Sequence, residues 1–169
     1  MKLSIVVPVL DEAERIRKAL APLQPLRAAG HELLVVDGGS RDGTFDAAQP
    51  LADRVLPSPR GRAVQMNVGA SVATGDVLLF LHADCRLPPG ADAAIAGALA
   101  GGRAWGRFDV TLEGGSRTLP MVAAFMNARS AATGICTGDQ AMFVERTAFD
   151  AVGGFPALPL MEDIALSRT

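Results

Sequence analysis

Three short apolar runs in this chain lead directly to acids. Residues 6–10 run into Asp11-Glu12, residues 33–36 run into Asp37, and residues 77–81 run through His82-Ala83 into Asp84. Carboxylates at such tips suit two kinds of oxygen chemistry. They bind hard divalent cations, which share their shell with water and phosphates. They also accept hydrogen bonds from ribose hydroxyls or a base N–H. Arg41, Arg60 and Arg62 stand in loops or helix starts around the same positions, and a guanidinium matches the geometry of a diphosphate. Each residue also has a plain structural alternative. The segment after Asp37 can be a plain strand-to-helix turn with Asp42 or Ser40 as its cap, and Asp84 can cap the loop before Pro88-Pro89. His82 reads as a packed neutral imidazole, a hydrogen-bond donor or a second metal ligand. Near the end, Glu162-Asp163 reads as first-turn helix chemistry or as a general base at a cleft mouth.

The elements that must position these groups follow from periodicity. Short apolar runs with turn signals on either side read as buried strands at 3–9, 32–36 and 77–81, with a brief one at 53–56. Helices are expected between them. Asp11 and Glu14 have capping-box spacing, and Ile16, Leu20 and Leu23 recur on one helical face. Further helices are expected from Thr44, over 62–73, and from Pro88-Pro89 to about Ala100. Alternating strands and helices predict an α/β fold with a parallel sheet and helices on both faces. Parallel strands would bring all the tip acids to one sheet edge, where such folds place their ligands.

The second half is less regular and is expected to build one side of a cleft against the first. Phe108, Val110 and Leu112 alternate as in a strand. Residues 117–132 read as a helix with Pro120 in its first turn. A strand at 140–144 and a helix at 146–152 follow, and a last helix begins near Met161.

Length, charge and cysteine count narrow the function classes. The 169 residues suit one domain, and an apolar share of 49% supports a sizeable core. A net charge of −2 gives no footprint for nucleic acid or a polybasic membrane patch. Cys85 and Cys136 form no disulfide framework, and their spacing matches no zinc pattern, so a cytoplasmic setting is expected. No run approaches the ~20 apolar residues of a membrane span. The opening segment is short, holds Pro8 and lacks a small-residue cleavage site, so it does not read as a signal peptide.

Taken in order, these pieces resemble the family 2 glycosyltransferases of the GT-A fold. Ser4-Ile5-Val6-Val7-Pro8-Val9-Leu10-Asp11-Glu12 is similar to that family's opening strand and turn. The segment from Glu32 through Asp37-Gly38-Gly39-Ser40-Arg41-Asp42-Gly43-Thr44 is similar to its second-strand signature. Gly61-Arg62-Ala63 through Asn67-Val68-Gly69-Ala70 resembles the next segment, and His82-Ala83-Asp84 falls at the Asp-x-Asp metal motif. Gly138 and Val152-Gly153-Gly154-Phe155 match later glycine positions, and Glu162-Asp163 resembles the motif that carries the base. The wording around His82, Gly138-Asp139-Gln140 and Met161-Glu162-Asp163 is most similar to a bacterial arsenosugar-biosynthesis-type subgroup.

The resemblance implies a Rossmann-like three-layer α/β/α sandwich forming a single GT-A domain over residues 1–169. It implies an inverting, metal-dependent transfer of a sugar from a nucleotide-diphosphate donor, with a UDP-sugar expected, to an acceptor hydroxyl. Pro8, Leu10 and Glu12 would border the nucleotide pocket, and Asp37 would contact base or ribose. Gly39, Arg62, Asn67, His82, Ala83 and Gly138 belong to the same nucleotide-sugar-binding set. Asp84 would hold Mn²⁺ or Mg²⁺, and Asp163, beside Glu162, would be the catalytic base. The acceptor is unknown, and peripheral membrane association stays open.

Two departures from the family pattern matter. His82 replaces the first acid of the metal motif, and a neutral imidazole cannot copy a carboxylate that accepts two hydroxyl protons. The chain ends six residues past Asp163, where family members continue, so a missing C-terminal part is expected. Two further readings remain at this stage. One is a module that binds a nucleotide sugar without turnover. The other is a nucleotidyltransferase, although the glycine-rich basic loop that would cradle a triphosphate is absent after the first strand.

Overall fold

The structure is a computed structural model and describes residues 1–116 and 118–156. The elements run β1 (Leu3–Val9), α1 (Ile16–Leu20), α2 (Gln24–Ala28), β2 (Glu32–Asp37), α3 (Thr44–Ala48) and β3 (Arg54–Pro57). They continue with α4 (Arg62–Val72), β4 (Val77–Phe80), α5 (Ala91–Ala100), β5 (Trp105–Gly106), α6 (Leu119–Thr133), β6 (Phe143–Glu145) and α7 (Arg146–Ala151). One sheet has the order β3-β2-β1-β4-β6-β5. The first four strands of that order are parallel, and β6 turns antiparallel to both β4 and β5.

The apolar runs explain the layering. Side chains alternate along a strand, so β1 sends Leu3, Ile5, Val7 and Val9 to one face. Ile16, Leu20 and Leu23 cover that face together with Ile95 of α5. Val6, Leu34, Val36, Leu78 and Phe80 face the other way, against Ala63, Met66 and Ala70 of α4 and Phe149 of α7. This is the expected three-layer α/β/α arrangement. Gly69 lets α4 approach closely, because a Cβ there would lie 2.4 Å from Val6 Cγ1. Phe80, Phe149 and Phe155 form a ring cluster with centroids 4.7–5.5 Å apart.

Buried polar groups are paired at the amino end of the sheet. Ser4 Oγ donates to Glu32 Oε2 at 2.5 Å, and the Thr74 N–H donates to the same oxygen at 2.8 Å. Ser4 Oγ in turn accepts from the Gly75 N–H at 2.8 Å. The carboxylate therefore keeps partners although it is removed from water.

Several expectations are corrected. Asp11 does not cap a helix. It sits at φ 53°, its Oδ1 accepts from the Arg41 N–H, and α1 starts only at Ile16 without a side-chain cap. The single helix expected there is broken by a 3-10 turn over Ala21–Leu23, since Pro22 and Pro25 each remove a backbone donor. No strand forms over 108–112. The Val110 N–H and C=O are satisfied instead by Asn127 of α6, at 2.9 and 3.0 Å. That side-chain amide takes the place of a neighbouring strand. Strand β6 begins at Phe143 rather than 140, because Gly138–Gln140 form a 3-10 turn closed by a Thr137–Gln140 capping box. The last helix expected from Met161 lies outside the described residues.

Candidate functional site

Parallel pairing sets Val9 opposite Asp37 and Val6 opposite Phe80, so the tips of β1, β2 and β4 end on one edge. The sheet order reverses direction between β1 and β4. A crevice opens at such a switch point, because the loops leaving the two strands turn to opposite faces. Here it is a cleft of about 400 Å³, lined by Pro8, Leu10 and Glu12 from β1 and its loop, by Arg60, Gly61, Arg62 and Gln65 around the start of α4, and by His82, Ala83 and Asp84 after β4. Seven of the expected site residues meet in it or at its rim: Pro8, Leu10, Glu12, Arg62, His82, Ala83 and Asp84. All lining residues come from the first half of the chain. Among the described residues, the second half extends the sheet and supplies none of this lining.

The start of α4 gives the cleft its anion-attracting side. Gly61 occupies the N-cap without a side-chain cap bond, and no acid stands in the first turn. The helix dipole favours negative charge there. Arg60 and Arg62 add to that field. Glu12 and Asp84 give the other side its acids. An anion bridged by a cation to a carboxylate suits such a division of charge.

Gln65 is a site residue that the sequence reading passed over. It is 4% exposed and lines the cleft. Its Nε2 donates to Val9 O at 2.9 Å and to Val36 O at 2.8 Å, tying the tips of β1 and β2 together. The signal was present: Gln65 is a polar residue among the buried positions Ala63, Met66 and Ala70 of α4.

The loops after β1 and β2 are joined by their own side chains. The Asp11 N–H donates to Ser40 Oγ, the Glu12 N–H to Thr44 Oγ1 and the Ala13 N–H to Asp42 Oδ2, at 2.9, 2.7 and 2.9 Å. The Thr44 hydroxyl and the Ala13 N–H hold the Asp42 carboxyl below its usual range. Asp37 is buried and accepts from the Ser40 N–H and hydroxyl. Asp37, the last residue of β2, and Gly39 in the loop after it are thus not among the residues of the cleft wall. Gly43, at φ 89°, permits the reversal into α3.

Asn67 faces a different task. Its side-chain amide donates to Phe155 O and accepts from the Phe155 N–H, at 2.8 and 2.9 Å. Gly138 opens the 3-10 turn whose Asp139 carbonyl lies 3.7 Å from Cys85 Sγ, which brings that segment to the tip of β4. Asp163 and Glu162 lie outside the described residues.

After β4 the chain turns sharply, with the Cys85 N–H donating to His82 O at 3.0 Å. The turn gathers ligand atoms of His82, Asp84 and Cys85 within 4.8 Å of one another. Burial, reinforced by Arg62, pushes the His82 pKa down to about 4, against the opposing pull of Asp84 and Asp139. The ring is therefore neutral near pH 7 and able to act as a ligand. Its Nε2 is shielded from solvent and has no hydrogen-bond partner among the described residues. Burial and the adjacent Asp84 carboxylate push the Cys85 thiol up to about 12. A carboxylate, a neutral imidazole and a thiol fit a divalent cation. The sequence reading offered Asp84 for that role and a second ligand as one of three readings of His82, whereas Cys85 was not foreseen.

The glycosyl transferase family 2 profile matches residues 4–148, most of the chain. The chain belongs to glycosyl transferase family 2. It is similar to glycosyltransferase AglE of Haloferax volcanii, 33% identical over 91 residues that make up 48% of this chain and 30% of AglE. A dolichol-phosphate mannosyltransferase of Pyrococcus furiosus is 28% identical over 53% of this chain and 27% of its own length. The family 2 chain thus spans about 30% of these curated relatives. Among solved structures, the mannosyltransferase PcManGT from Pyrobaculum calidifontis, in complex with GDP-Man and Mn²⁺, is similar with a TM-score of 0.72 and 25% identity, over 98% of this chain and 50% of that one. Glucosyl-3-phosphoglycerate synthase from Mycobacterium tuberculosis shares the fold, with a TM-score of 0.70 at 21% identity over 98% of this chain and 63% of that one. The architecture is that of the GT-A fold. Among the described residues, no helix is long and apolar enough to cross a membrane.

Proposed function

We propose that this chain is the donor-binding part of a glycosyltransferase that uses a nucleotide-diphosphate sugar and a divalent cation. The observation that carries this reading is the cleft at the β1/β4 switch point, where Asp84 and Glu12 face Arg60, Arg62 and the start of α4. A diphosphate chelated by a cation has both the charge and the length for such a site. A metal held at Asp84 would supply positive charge opposite the leaving diphosphate, and electrostatic help of that kind is often the largest catalytic contribution. Arg62 and the α4 N-terminus orient the same group, while Pro8, Leu10 and Glu12 border the nucleotide. Asp37 at the tip of β2 and Gly39 in the loop after it complete the nucleotide side. Asp163, beside Glu162, takes the acceptor proton in an inverting displacement, a step worth roughly 10²–10⁴-fold. Mn²⁺ bound to the similar mannosyltransferase PcManGT supports a divalent ion. A UDP-sugar is the expected donor, and the GDP-Man of PcManGT makes a GDP-sugar the first competitor to test. The likeness to the arsenosugar-type subgroup rests on His82-Ala83-Asp84 and the motifs around it, and assigns no particular sugar.

Calorimetry with UDP, GDP, UDP-glucose and GDP-mannose, each with and without Mn²⁺, tests this function. Binding is expected to depend on Mn²⁺ and to fall at least about tenfold in Asp84→Asn, since a neutral amide is a poor ligand for a hard cation. Equal affinity of the variant and the wild type would remove Asp84 from the metal role. No heat with any nucleotide would remove the donor site itself.

A further inference from the structure

We infer that His82, Asp84 and Cys85 form one borderline-soft cation site that selects Zn²⁺ or Co²⁺ over Mg²⁺. This rests on the donor-site reading above and extends it from one oxygen ligand to a mixed nitrogen, oxygen and sulfur set.

The geometry comes from a single turn. The Cys85 N–H to His82 O bond closes it, at 3.0 Å. The ligand atoms of the three side chains already lie within 4.8 Å of one another. Bond lengths of about 2.0–2.3 Å to zinc put two tetrahedral donors about 3.5 Å apart. A contraction of roughly 1 Å therefore suffices. The Cys85 thiol already reaches Asp84 Oδ1 at 3.5 Å, so one donor pair stands near that spacing.

A second observation points the same way. His82 Nε2 is buried without a hydrogen-bond partner among the described residues. A desolvated polar atom of this kind calls for an occupant, and a cation in the turn supplies one. Sulfur and imidazole suit Zn²⁺ and Co²⁺, whereas Mg²⁺ keeps to oxygen. As the metal–sulfur bond forms, the thiol proton passes to solvent, so charge and atoms balance. Three protein donors leave a coordination position for a phosphate oxygen of the donor.

Cobalt(II) is the probe, because sulfur bound to it gives a near-ultraviolet charge-transfer band that oxygen ligands do not. The wild type titrated with Co²⁺ is expected to show the band, Cys85→Ser to lose it, and Cys136→Ser to keep it. Cys136 is fully buried and serves as the control thiol. Zn²⁺ affinity is expected to fall at least about tenfold in Cys85→Ser and in His82→Gln, with Mg²⁺ affinity unchanged. Circular dichroism and melting curves establish that each variant is folded. Co²⁺ binding without the band, or a band that survives in Cys85→Ser, would overturn the mixed site and leave the Asp84 reading standing. Unchanged Zn²⁺ affinity in His82→Gln would remove the imidazole from the set. Absence of binding by Co²⁺, Zn²⁺ and Mn²⁺ alike, with UDP present, would end both readings.

Discussion

Asn67 grips the backbone of Phe155 from both sides. Its Nδ2 donates to Phe155 O at 2.8 Å, and its Oδ1 accepts from the Phe155 N–H at 2.9 Å. Phe155 also places its ring against Phe80, at the strand that leads to the cleft, with centroids 4.7 Å apart. The last described turn, with Gly153 and Gly154 at φ 79° and 78°, is thereby fixed to α4. This is the segment that leads on to Glu162 and Asp163. Asn67 thus links the helix whose start faces the donor cleft to the chain that carries the proposed base.

Asn67→Ala is expected to destabilise the fold by about 1–3 kcal/mol, because two backbone groups lose their partner. Urea unfolding measures the loss. Hydrogen exchange gives the local readout, in which the Phe155 amide loses protection while those of β1 keep theirs. Unchanged exchange at Phe155 would count against the clamp.

Gln65→Leu removes the bridge between Val9 O and Val36 O while keeping a similar volume. Val9 O keeps the Gly38 N–H as a donor at 3.0 Å, so the cost is that of two lost hydrogen bonds, about 1–3 kcal/mol in a urea titration. Nucleotide affinity should fall as well, since the β1 and β2 tips are no longer held together. A variant as stable as wild type would mean that water replaces the amide.

Ser4→Ala tests the opposite end of the sheet. Glu32 loses a hydroxyl donor at 2.5 Å, and the Gly75 N–H loses its acceptor. A loss of about 1–3 kcal/mol is expected from the unpaired buried groups. Donor affinity should stay near wild type, because this pair lies at the edge of the sheet away from the cleft. Calorimetry beside chemical denaturation separates the two effects.

Acid stability reports on His82. Its folded pKa of about 4 lies below the ordinary value of 6.5. Between those values the unfolded chain binds the proton and the native state does not, so stability falls as pH drops from 6.5 towards 4. Stability is full above pH 6.5, and the loss reaches about 3 kcal/mol at the acid end. In the metal-free protein, His82→Gln should flatten that part of the profile. Denaturation midpoints at intervals from pH 7 to pH 4 check it, and parallel profiles for variant and wild type would contradict the burial of the ring.

Local patterns carried far in this chain. The runs of β1, β2 and β4 are apolar enough to be buried on both faces, so their element type, and the edge on which Glu12, Asp37 and Asp84 end, were readable from composition and periodicity. The helix faces of Ile16, Leu20 and Leu23, and the start of α3 at Thr44, were equally local. Arg62 and His82 drew attention by their places at a helix start and a strand tip, whereas the cleft membership of Pro8 and Leu10 was implied only by the family resemblance.

Other features depend on partners far along the chain. Asp11 and Glu14 have capping-box spacing, yet Asp11 is bound to the loop at Ser40 and Arg41 instead. Residues 108–112 alternate like a strand, yet Asn127 of α6 takes the Val110 backbone. Gln65 meets Val9 across 56 positions and Val36 across 29, and Asn67 meets Phe155 across 88. The sequence by itself determined which segments become strands and helices and where their acids fall, because periodicity and turn chemistry act over a few residues. Only the tertiary structure decided which polar groups are spent on holding loops together and which are left facing the cleft. A hydrogen bond is assigned by proximity in space, and every buried backbone group takes the partner that the packed chain brings to it.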